Sequence, residues 1–105
     1  MIASRNIYRV NNGCSFDPRV TVLHWHHTKA GALKSARFFA KRLSVGDCIS
    51  VDIVRVPPAT SALALVRLIR GGVRDCAWAR LANVVRLPGN QGTKTNWVTT
   101  QWRHI

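Results

Sequence analysis

The chain has 105 residues, 47% of them apolar, which fits one folded domain with a core and excludes a wholly disordered chain. Twelve Arg and four Lys oppose four Asp and no Glu, and this formal net charge of +12 favours a polyanionic partner. The N-terminus lacks the apolar core of a signal peptide, and no apolar run approaches the ~20 residues of a membrane span, so we expect a cytoplasmic protein with no membrane partner.

The N-terminal half is predicted to form two strands, a helix and a third strand. Residues 6–10 (NIYRV) and 19–27 (RVTVLHWHH) are rich in strand-forming residues and flank turn signals, so they predict a hairpin. From the N-cap candidate Thr28 to a stop near Gly46 the period becomes helical. The apolar positions that share one helix face are Ala32, Leu33, Ala36, Phe39, Ala40 and Leu43. Residues 48–56 alternate apolar with polar, which predicts a strand with one buried face.

The C-terminal half is predicted to add one or two helices and a β-hairpin. Residues 60–70 have the composition of a helix capped by Thr60 or Ser61 and ended by Gly71. Residues 73–86 fit both a helix and a strand, and we favour a helix over 73–82 that gives way to a strand. LPGNQGTK then indicates a turn, and TNWVTTQWRHI a last strand.

The predicted fold class is therefore α+β, with one domain over residues 1–105. Residues 1–57 form a ββαβ part, in which a small antiparallel sheet is covered on one side by the helix. Residues 58–105 form the helical part with the C-terminal hairpin. The same half also matches a winged helix-turn-helix, an alternative that would place the second helix, with Arg74 and Arg80, in a DNA groove.

Basic and aromatic residues supply the candidate binding site for nucleic acid or a protein partner. On the helix, Lys34, Arg37 and Lys41 form a stripe opposite the apolar face, with Phe38 and Arg42 beside them. The second half contributes the remaining candidates: Arg67, Arg70, Arg74, Arg80, Arg86, Lys94, Trp97, Trp102 and Arg103. Cations that hold phosphates and rings that stack on bases are a common way to bind single-stranded nucleic acid. Because Trp97 and Trp102 are five residues apart, strand periodicity predicts that one is buried and the other exposed.

Neither a metal site nor an active site is predicted. His24 and His26 share one face of a strand, with Cys14 across the hairpin as the conceivable third ligand, but we expect these histidines to face solvent, to bond locally or to lie beside a polyanion. The lack of Glu leaves little material for acid–base catalysis, and no phosphate-binding loop is matched. We therefore expect a non-enzymatic protein without cofactor or metal. Three widely spaced cysteines argue against a disulfide framework and favour a reducing compartment.

The pieces YRV, FDPRVTV, TKAGALKSARFFAK and DCISVDIVRV, within residues 7–57, resemble short accessory proteins encoded by bacteriophages and mobile elements of GC-rich bacteria. The resemblance implies a small protein that acts by binding in a bacterial host, for example one that disarms a defence system such as CRISPR. Two functions follow as expectations. The first is a nucleic-acid-binding protein, and the alternative is an inhibitor that binds an acidic surface of a host protein complex through the same basic face.

Overall fold

The computed structural model describes residues 5–14, 21–57, 61–71, 76–98 and 101–104. Its elements in chain order are β1 (Arg5–Asn12), β2 (Thr21–His26), α1 (Lys29–Ala40), β3 (Cys48–Val56), α2 (Ala62–Arg70), β4 (Ala77–Arg86), β5 (Thr93–Trp97) and β6 (Arg103–His104). Within these ranges no helix is long and apolar enough to cross a membrane.

One antiparallel sheet organises the described chain. Its strand order is β2-β1-β3-β4-β5, and the short β6 pairs with the start of β4 beside Ala77 and Trp78. The two helices cover opposite faces of this sheet, which we call the α1 side and the α2 side. The central strands β1, β3 and β4 are therefore covered on both faces.

On the α1 side, small residues let the helix lie close to the sheet. Ala32, Ala36 and Ala40 are fully buried against valines and isoleucine of the central strands. Thr28 caps the helix, since its hydroxyl accepts a hydrogen bond from the Gly31 amide at 3.1 Å.

The α2 side is divided along the strands into an apolar and a polar half. Leu65 of α2 packs with a buried cluster from the sheet, which consists of Ile7, Val54, Val56, Cys76 and Trp78. Farther along the same face the buried side chains are polar, and we call them the buried arginine network: Arg9, Asn11, Ser50, Asp52 and Arg80.

A bulge in β4 creates this network. Val51 pairs with Ala82 whereas Asp52 pairs with Arg80, so Leu81 is an extra residue in β4. In a regular strand, residues 80 and 82 would point to the same face. Because of the bulge, Ala82 packs under α1 while Arg80 points to the opposite side and meets Asp52.

The predicted fold class is wrong. Residues 5–56 do run strand, strand, helix, strand, but these strands are part of a larger sheet that continues through β4 and β5, with a helix on each face. Residues 77–86, predicted largely as helix, are the strand beside β3. A strand covered on both faces has no simple alternation of apolar and polar residues, so its pattern can be mistaken for a helix. The winged helix-turn-helix alternative, which needs a helix there, is wrong for the same reason.

Two further expectations are overturned by the packing. Cys14, two residues beyond the end of β1, is joined by a disulfide to Cys48, the first residue of β3, with their Cα atoms 6.2 Å apart. The alternation in β3 predicts that it buries one face only, yet Ser50 and Asp52 on its second face are fully buried. Their partners Arg9, Asn11 and Arg80 belong to the neighbouring strands, so they are not visible in the alternation of β3 itself.

Candidate nucleic-acid interface

Four cations lie on the solvent face of α1 and just beyond its end, and we call them the basic stripe: Lys34, Arg37, Lys41 and Arg42. All four side chains are exposed. Seven residues separate the two lysines, which is about 10 Å along a helix axis. The sequence has no Asp or Glu between positions 18 and 46, so no acidic side chain of this segment neutralises the stripe.

Phe38 is an exposed ring within the basic stripe. Its side chain is 52% exposed, and the Arg42 guanidinium carbon lies 3.6 Å from its ring centroid. Arg42 also donates a hydrogen bond to the Phe38 carbonyl at 3.0 Å, which fixes the arginine over the ring. The pair therefore presents a flat surface together with a positive charge.

Both candidate tryptophans are exposed, at 57% for Trp97 and 41% for Trp102, so the prediction that one is buried is wrong. They do not share one regular strand, because β5 ends at Trp97 and Trp102 precedes β6. Each ring lies beside a cation: Lys29 Nζ is 4.7 Å from the Trp97 ring and the Arg55 guanidinium 4.2 Å from the Trp102 ring. Both pairs extend the set of exposed cations and rings beyond the basic stripe.

A polar recess of about 310 Å³ lies between the end of α1 and the β4–β5 turn. Lys41 and Arg86 line it together with Gly89, Asn90 and Gly92. Arg86 donates to the Leu43 carbonyl, which ties β4 to the segment after α1. Two cations beside a glycine-containing turn give this recess the character of a phosphate site.

A second cavity, which we call the histidine groove, has a volume of about 400 Å³ and separates edge strand β2 from α1. His24 and His26 line its strand wall, with their ring centroids 4.5 Å apart. Its helix wall consists of Lys34, Ser35, Phe38 and Phe39, the two phenylalanine rings meeting edge to face at 5.6 Å.

Gly31 allows the end of the groove to close tightly. A Cβ atom at this position would lie 3.0 Å from the Thr28 hydroxyl and 3.2 Å from His26 Nδ1. The His26 ring can therefore lie against the first turn of α1. Its Nε2 atom is buried and has no hydrogen-bond partner among the described residues. Burial lowers the pKa of His26 below its ordinary value of 6.5, and the charges of His24 and His27 act in the same direction.

The predicted binding residues do not form one surface. The basic stripe, Phe38, Arg86 and Trp97 belong to the α1 side, where Trp97 pairs with Ala82 beneath the helix. Arg67 and Arg70 are exposed on α2, while Lys94 and Arg103 are exposed at β-sheet positions that point away from α1. Arg74 lies outside the described residues.

Arg80 is not a surface residue, contrary to prediction. It is 2% exposed, and its Nε donates to Asp52 Oδ1 at 2.5 Å. The other Asp52 oxygen accepts from Arg9 Nη2 at 3.0 Å and from Asn11 Nδ2 at 2.7 Å. The Arg9 guanidinium also lies near the rings of Trp25 and Trp78, 5.9 and 5.1 Å from their centroids. The network holds two cations and one anion, and its role is in the interior of the fold.

Sequence reasoning missed Lys29 and Arg55, the cations beside the two tryptophans. Lys29 opens α1, and a helix-start signal such as Thr28 could have marked it as exposed. Arg55 belongs to β3, and β4 and β5 separate it from Trp102 along the chain, so no local pattern connects the two residues. Among the described residues no three His, Cys, Asp or Glu side chains come together as metal ligands, and Cys14 is bonded to Cys48.

No protein-family model, no curated protein and no solved structure matches this chain. The charges, rings and cavities of the α1 side are therefore the basis on which its function is inferred. The resemblance to accessory proteins of phages and mobile elements stays a prediction.

Proposed function

We propose that this protein binds nucleic acid through its α1 side and has no enzymatic role. The observation that supports the proposal best is the basic stripe on α1, which has no acidic neighbour in the sequence from position 18 to 46. Lys29 and Arg86 lie at its two ends, and the recess beside Arg86 offers space for a phosphate. In this arrangement cations contact the backbone of the polymer, and exposed rings contact bases.

The buried arginine network removes little of the positive charge from the surface. Arg9, Arg80 and Asp52 together carry a net charge of +1, so +11 of the formal net charge of +12 lies on the other residues. Nearly all of the net charge remains to attract a polyanion.

Salt dependence of binding tests the proposal. With about five phosphates neutralised, log K should fall with log salt at a slope near −4.5 on duplex and near −3.5 on a single strand. Fluorescence anisotropy with a labelled oligonucleotide of about 15 nucleotides, from ~50 to ~300 mM salt, measures this slope. No binding at ~50 mM salt, or a flat response, contradicts the proposal.

Two double variants that remove equal charge locate the surface. Lys34→Ala with Lys41→Ala removes two contacts of the basic stripe and should reduce the duplex slope to about −2.7. Arg67→Ala with Arg70→Ala removes the same charge from α2 and should leave the slope close to the wild-type value. Equal effects of the two variants would mean that binding follows total charge and not the α1 side.

The alternative function is inhibition of a host protein complex, as in anti-CRISPR proteins, through the same face. Phe38 favours it, because an exposed ring surrounded by cations also suits a pocket on an acidic protein. Pull-down from host lysate with and without nuclease distinguishes the two: a nucleic-acid binder loses its partners after nuclease treatment, and an inhibitor retains one protein.

The resemblance to phage and mobile-element proteins supports action in the bacterial cytoplasm, and we include this location in the proposal. Disulfides are more typical of oxidising compartments, so the Cys14–Cys48 bond is the feature that opposes it. Trapping thiols by alkylation in intact cells would show which state of the two cysteines exists there.

A further inference from the structure

We propose that the histidine groove is a pocket for one unstacked base, so that the nucleic acid bound by the basic stripe is single-stranded. This inference rests on the proposed function and specifies its substrate class. The basic stripe alone would bind duplex and single-stranded nucleic acid alike, because both carry phosphates.

The walls of the groove suit a flat aromatic ligand. Four rings surround it, two imidazoles from β2 and two phenyl rings from α1. Its volume of about 400 Å³ lies at the lower end of the range of about 300–1,000 Å³ found for small-molecule sites. A single base with its sugar is of the size that such a site takes, whereas an α-helix or a strand of a protein partner is larger.

The polar groups of the groove can hold the edge of a base. The Ser35 hydroxyl and the His24 imidazole offer a donor and an acceptor along its walls. This combination of ring faces and a few hydrogen-bonding atoms is typical of sites that read unpaired bases.

Charge complementarity identifies the ligand as part of a polyanion. Lys34 belongs to both the groove wall and the basic stripe, so a base in the groove would have its phosphate next to the stripe. Arg42 stacks on Phe38 at the same wall. A base within a duplex is paired and stacked between its neighbours, and it cannot enter a groove of this kind without being flipped out.

Two substitutions change the groove without changing charge. Phe38→Ala removes a ring from the wall, and Ser35→Trp fills the space. Leu63→Ala, which truncates an exposed apolar residue on α2, is the matched control for Phe38→Ala. Thermal melting first establishes that the three variants are folded, and anisotropy then compares a single-stranded 15-residue oligonucleotide with its duplex at one salt concentration.

We expect each groove variant to bind the single strand about tenfold more weakly, within the range for loss of one base–aromatic stack. Duplex affinity and the salt slope should change less than about twofold, and the control should match wild type. In addition, ultraviolet crosslinking of a single strand that carries 5-iodouridine should label peptides from β2 or α1.

Three results overturn the inference. In the first, wild-type protein binds with the expected salt slope and both groove variants bind the single strand normally. This result refutes the base pocket and leaves the proposed function intact. Equal losses on single strand and duplex also refute the pocket and leave the proposed function standing. Wild-type protein that binds neither polymer refutes both proposals.

Discussion

Asp52→Asn should destabilise the protein more than any surface substitution, because it removes the one negative charge between two buried guanidinium groups. Asp52 is fully buried, and Arg9 and Arg80 are 3% and 2% exposed. In the wild-type protein both Asp52 oxygens accept hydrogen bonds, from Arg9, Arg80 and Asn11. The NH₂ group of the new amide would replace one of these acceptors by a donor that faces other donors. Removing one partner of a buried ion pair costs about 3–5 kcal/mol of unfolding free energy.

That loss is large for a domain of this size, whose total stability is about 5–15 kcal/mol. Urea denaturation followed by far-ultraviolet circular dichroism measures it. With an m value of about 2 kcal/mol per molar, the midpoint should fall by about 1.5–2.5 M. Asp47→Asn removes the same charge at an exposed position and should change the unfolding free energy by less than about 0.5 kcal/mol.

A midpoint for Asp52→Asn within about 0.3 M of wild type would refute the reasoning, since the arginines would then not depend on this carboxylate. A triple replacement, Arg9→Met with Arg80→Met and Asp52→Leu, separates charge from packing. Because exchange of a whole buried ionic group for apolar residues is often neutral, the triple variant should be more stable than Asp52→Asn.

Two further predictions concern the walls of the histidine groove. Phe39 is half-buried against the α1-side core, so Phe39→Ala should lower the unfolding free energy by about 2–3 kcal/mol, less than the ~3–5 kcal/mol for a fully buried ring. Phe38 is exposed, so Phe38→Ala should lower it by only about 0.5 kcal/mol. Equal losses in urea denaturation would mean that both rings are buried. The lowered pKa of His26 means that the folded protein holds this proton more weakly than the unfolded chain, so stability should fall as pH drops below 6.5 and level off below the lowered pKa. His26→Gln should flatten this decline in melting temperature between about pH 7.5 and 5, and a wild-type stability that rises on acidification would contradict the assignment.

Helix α1 is the element that can be predicted best from the sequence. Its pattern predicts Thr28 as the N-cap and Ala32, Leu33, Ala36 and Ala40 on the buried face, and the structure has both. A helix covered on one side has a period that its own residues display in full. The exposed positions of the basic stripe and Phe38 follow from the same period.

Strand β4 and its neighbours could not be predicted in the same way. Ala79 and Arg80, adjacent in sequence, are both buried, because α2-side partners and the α1 core lie on opposite faces of the strand. The bulge at Leu81 further breaks the alternation. The pairing of Arg80 with Asp52 spans 28 residues, and no local pattern indicates that an arginine will meet an aspartate at that distance.

The exposure of the two tryptophans could not be predicted from strand periodicity. Periodicity predicts opposite faces for Trp97 and Trp102 only if both belong to one strand. Each ring instead contacts a cation from a different element, Lys29 of α1 and Arg55 of β3. Such contacts depend on the tertiary arrangement of the sheet and the helix. The sequence therefore shows the cations and the tryptophans but does not indicate which of them lie side by side.

The Cys14–Cys48 disulfide makes a covalent loop of the segment that contains β2 and α1. For a separation of 34 residues, the chain-entropy model assigns such a crosslink about 4 kcal/mol. Both walls of the histidine groove and the whole basic stripe lie within this loop, which is anchored on the central strands β1 and β3. A protease that cuts the backbone once between the two cysteines would therefore leave a single covalent molecule, in which each piece of the cut loop remains attached to the sheet at one end.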